Sequence, residues 1–289
     1  MDSIKRGFGF FKQAWQMAFA DRDLLKPTIY ALIVGFIVTL IGLVPLVAAG
    51  IFFQSDQGIG QIVFIVLGAI LAFAQYTVTY VFSSMTIYLI YGYLTEGDGR
   101  MDKAWAIVRR DFFDILTLSA ASTGVKLLEN FVRGKGNRAG RGILANLIRT
   151  VWTEATYLVL PAMVIEDIGL KDGLKRATAI VKGNLLLVGV STVGVGWITG
   201  LIGLLLGTTG IGFGLVSVTE GSTVGLIAGI TLDGAVAMVF ILVAVLIGNY
   251  TMTAYHTCLY LWARDVEKAQ DAGLSLNSVA APKPLAAIL

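Results

Sequence analysis

Charge is what this chain lacks most. Only 14% of its 289 residues are charged, while 56% are hydrophobic, against roughly 25% charged in ordinary soluble domains. A water-soluble core cannot absorb that much apolar side chain, so the bilayer must be the solvent for most of it. Cysteine and histidine are nearly absent too. The single cysteine, Cys258, excludes an internal disulfide, and the single histidine, His256, leaves no cluster for a zinc site. A nucleophile–histidine–acid arrangement would have to use His256, which sits in an aromatic, apolar helix end. No catalytic, cofactor or metal site is therefore expected, and the chain does not read as an enzyme.

Other absences set the architecture. No alternating pattern of about ten residues suggests a barrel, and several uncharged runs exceed the ~20 residues needed to cross ~30 Å of hydrocarbon. The fold class is all-α: a polytopic helical membrane protein. Residues 1–20 contain no apolar region of the length a cleavable signal needs. Instead "SIKRGFGFFKQAWQMAF" puts Ile4, Phe8, Phe11, Trp15 and Phe19 on one helical face flanked by Lys5 and Lys12. Such a segment lies in the membrane interface, its lysines reaching to headgroups. A short helix packed on protein is the alternative.

Four segments read as full crossings: about Ile29–Phe53; Gly60–Thr95; Leu185–Gly207; and one that begins between Thr223 and Gly234 and ends near Ala263. Two connections, 54–58 and 208–232, hold no lysine or arginine, whereas 126–149 alone holds six of the 22. Cytoplasmic loops collect these residues, so both termini and the middle region are expected to face the cytoplasm across the plasma membrane. Within that middle, "FFDILTLSAASTGV" (112–125) is bounded by Arg109, Arg110 and Lys126, and its helix would be about 21 Å long, short for a crossing. Residues 104–165 therefore read as an embedded hairpin of two helices that enter the cytoplasmic leaflet and return. Six full spans are the alternative. Pro161 is expected to kink or end the second helix. Glu166 and Asp167 mark the return to water, and Gly169 suits a turn into a basic amphipathic helix. Asp167 or Asp172 would serve the positive end of that helix, with Leu170, Leu174, Ala177 and Val181 on its apolar face.

The chain also carries a half-repeat pattern over 1–95 and 167–265, within one membrane domain spanning 1–265. "KQAWQM" (12–17) parallels "KRATAI" (175–180), and "YTVT" (76–79) parallels "YTMT" (250–253). Such parallel halves would be related by an axis along the membrane normal. Residues 266–289 read as a flexible or surface-lying tail.

Three groups of residues are candidates for function. Lys126 and Glu129 on one embedded helix can pair, and Asn146, Arg149, Thr150, Thr153, Glu154 and Tyr157 form a polar strip on the other. Meeting across the hairpin, they could line a crevice for an ion or small polar solute, because membrane-depth charges are costly and tend to be functional. Gly196, Gly200, Gly203 and Gly207 form a stripe for close helix packing, within the chain or in a homo-oligomer. Arg133, Lys135, Arg138 and Arg141 in "RGKGNRAGR" could hold anionic lipid headgroups. That loop lacks the residues of a nucleotide cradle, as does "GTTGIGFG" (207–214). The partners expected are the bilayer, anionic lipid, another membrane protein or a second copy, and no nucleic acid.

With Trp152, Thr156, Pro161, Glu166, Gly169 and Lys175–Arg176–Ala177, "WTEATYLVLPAMVIEDIGLKDGLKRA" resembles an uncharacterised membrane family, domain-of-unknown-function family 6159. "FADRDLLKP" (19–27) and "YTMTAYHTCLYLWARD" (250–265) match its pattern as well, and Glu154 departs from it, an apolar residue being expected there. The resemblance implies an integral membrane protein of prokaryotic type, with no established activity or catalytic residues. More loosely, the embedded hairpin resembles that of sulfate-permeating membrane proteins, a likeness of architecture alone. The expected function is a non-enzymatic membrane-organising or partner-binding role; the alternative is a channel or transporter for a small ion or polar solute.

Overall fold

The computed structural model describes residues 2–53, 57–134, 139–183, 200–205, 223–274 and 279–286. The described residues are helical with no strand, and they fall into two compact units, one of residues 23–183 and one of residues 1–22 with 184–289.

The 23–183 unit is built on two antiparallel helix pairs. In the first, α2 (Lys26–Phe52) packs along α3 (Gln57–Glu96). Pro27 occupies the first turn of α2, where its missing N–H costs nothing. Glycines bring the backbones together: a Cβ at Gly42 would stand 2.5 Å from Leu71 Cδ1, and one at Gly35 would stand 3.3 Å from Gln75 Oε1. Gln75 Nε2 donates to the Gly35 carbonyl at 2.8 Å and to Thr39 Oγ1 at 2.6 Å, a polar clasp in an otherwise apolar pair. Within the described residues of this unit, little else covers α2. From Ile29 to Phe52 its large side chains are largely exposed, as are Ile59, Ile62, Phe64, Ile65, Val66 and Ile70 on the first half of α3.

The second half of α3 behaves differently. Ser84, Met85, Thr86, Ile87, Leu89 and Ile90 are buried under α4 (Met101–Arg110), α5 (Phe112–Gly134) and α6 (Ala139–Glu166). Gly97, with φ of 81°, makes the left-handed turn that leads from α3 toward α4. α5 and α6 pair as the second hairpin, and α7 (Leu170–Gly183) packs on α6. At that contact Gly173 leaves no room for a side chain, since its Cβ would lie 3.1 Å from Met163 and 3.3 Å from Val159. Over residues 170–180 of α7, Gly173, Ala177 and Ile180 are buried; of the expected apolar stripe, Ala177 is buried, Leu170 and Leu174 are half-buried, and the side chain of Val181 falls outside the described residues.

Of the span 104–165 expected to form a hairpin, residues 104–110 belong to the separate α4, and the helix pair is α5 and α6, with two further differences. α5 has 23 residues and α6 has 28, both longer than the apolar runs inside them, because hydroxyls and ion pairs on the inner face let charged residues stay helical. α6 also runs through Pro161 without ending there. It stops at Glu166, and Asp167 takes the turn with φ of 56°, unusual for a residue with a side chain.

In the other unit, α1 (Asp2–Ala20) packs on α8 (Thr223–Asp271). The packed face is Phe10, Ala14, Met17 and Ala18, while Phe8 and Phe19 of the expected lipid-facing stripe stay 60% and 68% exposed. Trp15 Nε1 donates to Thr251 Oγ1 at 3.1 Å, Tyr250 Oη donates to the Ala14 carbonyl at 3.1 Å, and Phe10 meets Tyr255 edge-on. α8 continues past Ala263 and closes at Gly273, φ 69°, with Leu274 N–H bonding the Ala269 carbonyl. The end of the chain, read from sequence as flexible or surface-lying, contains the single turn α9 (Lys283–Ala286), whose Pro284 and Leu285 are buried against α1 and α8.

Candidate functional site in the α5–α6 hairpin

The hairpin's base, middle and far end are held by different chemistry. At the base, Arg110 ties three elements together. Its Nε and Nη2 donate to both oxygens of buried Asp111, at 2.6 and 2.9 Å. Its Nε also lies 3.0 Å from Asp167, and Nη2 donates to the Val164 carbonyl at 3.3 Å. A cation there satisfies one of the carbonyls that the end of α6 leaves open. Arg176 of α7 pairs with Glu166 at 3.1 Å.

The middle turns on Ser122 of α5. Its hydroxyl lies 2.7 Å from Tyr80 Oη of α3 and accepts Trp152 Nε1 of α6 at 2.9 Å. Three helices thus share one oxygen. Ser119 and Thr123 beside it return their hydroxyls to their own helix, at 2.8 Å each. The sequence signal was present as small hydroxyl residues at helical spacing, Ser119, Ser122 and Thr123, yet nothing in it marked Ser122 rather than its neighbours.

Toward the far end stands an ion cluster. Glu129 is 2% exposed. Lys126 Nζ donates to its Oε2 at 3.0 Å and Arg133 Nη2 to its Oε1 at 2.9 Å. Arg133 then crosses to α6 and bonds Asn146 Oδ1 at 3.1 Å. Arg149 adds a third positive charge acting on Glu129. The two predicted polar strips therefore meet, through Arg133, a residue assigned from sequence to lipid contact. Glu154 and Tyr157 lie farther along α6, half-buried and electrostatically coupled to each other. Of the other expected lipid contacts, Arg141 lies in the first turn of α6, and Lys135 and Arg138 fall outside the described residues.

Alongside this cluster runs a groove of about 1000 Å³ between α3 and α5. Gln61, Phe64, Ile65, Gly68, Ala69 and Ala72 line one wall, and Thr123, Lys126, Leu127, Asn130, Phe131 and Gly134 contribute to the other.

The expected glycine stripe receives less. Gly196 and Gly207 lie outside the described residues, and among the described residues nothing stands within 4 Å of a Cβ built at Gly200 or Gly203. His256 is buried in α8, with Nδ1 2.8 Å from the Met252 carbonyl of its own helix, and Cys258 is buried nearby.

Among the described residues, three helices, Arg22–Phe52, Gly58–Glu96 and Ala237–Asp271, are long and apolar enough to cross a membrane. These define the class: a helical protein with helices that could span a membrane. Within that class, the chain belongs to the family of unknown function DUF6159, whose pattern matches residues 61–270. No curated protein matches it.

Proposed function

We propose that the protein is a non-enzymatic plasma-membrane protein that organises the membrane or binds partners at its cytoplasmic leaflet. Both termini are cytoplasmic, and the α5–α6 hairpin enters the bilayer partway from that side. Two contacts support that depth. Tyr30 packs on Phe82 where the exposed apolar run of α2 begins, and Tyr80 meets Ser122 half a turn away. From Ser122 to Gly134 the helix advances roughly 18 Å, a little over half of the ~30 Å hydrocarbon. Arg100, Lys103, Arg109 and Arg110 around α4, and Lys171, Lys175 and Arg176 on α7, lie at the hairpin's base, the side that the excess of basic residues assigns to the cytoplasm.

One observation carries the functional reading. Both oxygens of the most buried carboxylate in the hairpin are taken by cations of its own helix, and one of those cations is tied to the partner helix. A carboxylate so committed braces the hairpin at a set register; it does not offer a lone pair to a passing solute. Reconstituted in liposomes, the protein should carry neither protons nor chloride above the empty-vesicle rate, and it should keep a co-purifying partner or a second copy through size exclusion. Flux that collapses in Glu154→Ala or Lys126→Ala would establish transport instead. Orientation has its own check. In a Cys258→Ser chain carrying Asn137→Cys, an impermeant thiol reagent outside intact cells should leave the protein unlabelled, and labelling would turn α5 and α6 into full crossings.

A further inference from the structure

We propose that the groove between α3 and α5 seats one acyl chain of an anionic phospholipid from the cytoplasmic leaflet, with Lys126 holding its headgroup. Three features converge on this occupant. The first is shape. The facing stripes cover about three turns of each helix, so the groove is roughly 16 Å long. Its volume is about 1000 Å³, room for an extended acyl chain of that length.

The second is the chemistry of the walls. Gly68, Ala69 and Ala72 leave a trough between larger side chains, and a Cβ at Gly68 would meet nothing within 4 Å. The trough lies beside Ile62 and Val66, which are 63% and 51% exposed, so a lipid can enter sideways from the bilayer.

The third is charge. Lys126 lines the groove at the end nearer the hairpin's base, and its side chain remains 40% exposed despite the bond to Glu129. With Arg133 and Arg149 also acting on Glu129, three cations surround one carboxylate. Their excess favours a phosphate, and a lysine stem can lie along apolar surface while its ammonium reaches the headgroup. The leaflet rests on the partial-entry reading of the hairpin; the groove and its lysine do not.

The test is native mass spectrometry of the purified, delipidated full chain, with phosphatidylglycerol or phosphatidylcholine added back. Wild type should retain one phosphatidylglycerol per chain and prefer it about fivefold over phosphatidylcholine, the scale of one lysine near an anionic surface. Lys126→Gln should erase that preference. Gly68→Leu fills the trough in an open position and should abolish retention of both lipids while circular dichroism stays that of wild type. Lys175→Gln, a cation change elsewhere, should leave retention unaltered. Equal retention of the two lipids by wild type, retention of a free fatty acid in their place, or wild-type retention by Gly68→Leu would overturn the proposal. None of these results bears on the flux measurement, so the lipid seat can fail while the non-transporting role stands.

Discussion

The two helix pairs of the 23–183 unit solve the same packing problem with opposite means. The α2–α3 pair meets through glycines and apolar side chains, with Gln75 as its polar clasp. The α5–α6 pair is joined to itself and to α3 through Ser122 and the Glu129 cluster. In lipid, apolar surfaces gain little by choosing one another, so close backbone contact and a few hydrogen bonds must supply the specificity. The first pair presents exposed apolar length along α2 and the first half of α3. The second carries more charge, and its buried carboxylate Glu129 is satisfied within the hairpin.

The contrast can be broken at graded cost. The largest loss is expected from Glu129→Ala, which leaves Lys126 and Arg133 facing each other without their carboxylate. Unfolding in detergent should show a loss of about 3 kcal/mol, and an unchanged midpoint would mean that the cluster does not brace the hairpin. Ser122→Ala removes the oxygen shared by Tyr80 and Trp152 and should cost about 2 kcal/mol, accompanied by a change in tryptophan fluorescence. In the apolar pair, Gln75→Leu should cost only about 0.6 kcal/mol; a loss as large as that at Ser122 would erase the distinction between the pairs.

Smallest of all is the exposed pair Lys175–Asp172 at the start of α7. Its hydrogen bond to Lys175 holds the Asp172 carboxyl below the usual aspartate range. A carboxylate whose native pKa is depressed stabilises the fold above its ordinary value of about 3.9 and loses that contribution as pH falls through the native one. Because both side chains are well exposed, Lys175→Gln should leave the unfolding midpoint unmoved at pH 7, and the two proteins should remain indistinguishable as pH is lowered below 4.

Much of this was legible in the residues. The long apolar runs placed α2 and α3 to within a few residues, and α8 runs eight residues past its expected end at Ala263; the expected crossing over 185–207 lies largely outside the described residues. The Lys126–Glu129 pair followed from its spacing of three. Arg133 was read as a lipid contact because a cation beside a glycine-rich basic loop looks solvated in one dimension; only the fold of α6 back along α5 put Asn146 within its reach. Trp15 was likewise placed on a lipid-facing stripe, and the approach of α8 turned it toward Thr251. Pro161 was expected to kink or end its helix, and it does not end it, since α6 runs on to Glu166.

Composition and the distribution of charge thus pointed on their own to a helical chain with segments long and apolar enough to cross a bilayer, for a hydrocarbon solvent demands local satisfaction of the backbone and forbids most charges. Which polar side chains are buried together, how deep the hairpin reaches along α3, and where a groove opens beside Lys126 were decided only by tertiary packing. Those depend on residues far apart in sequence meeting at a distance of about 3 Å, and no local periodicity encodes such a meeting.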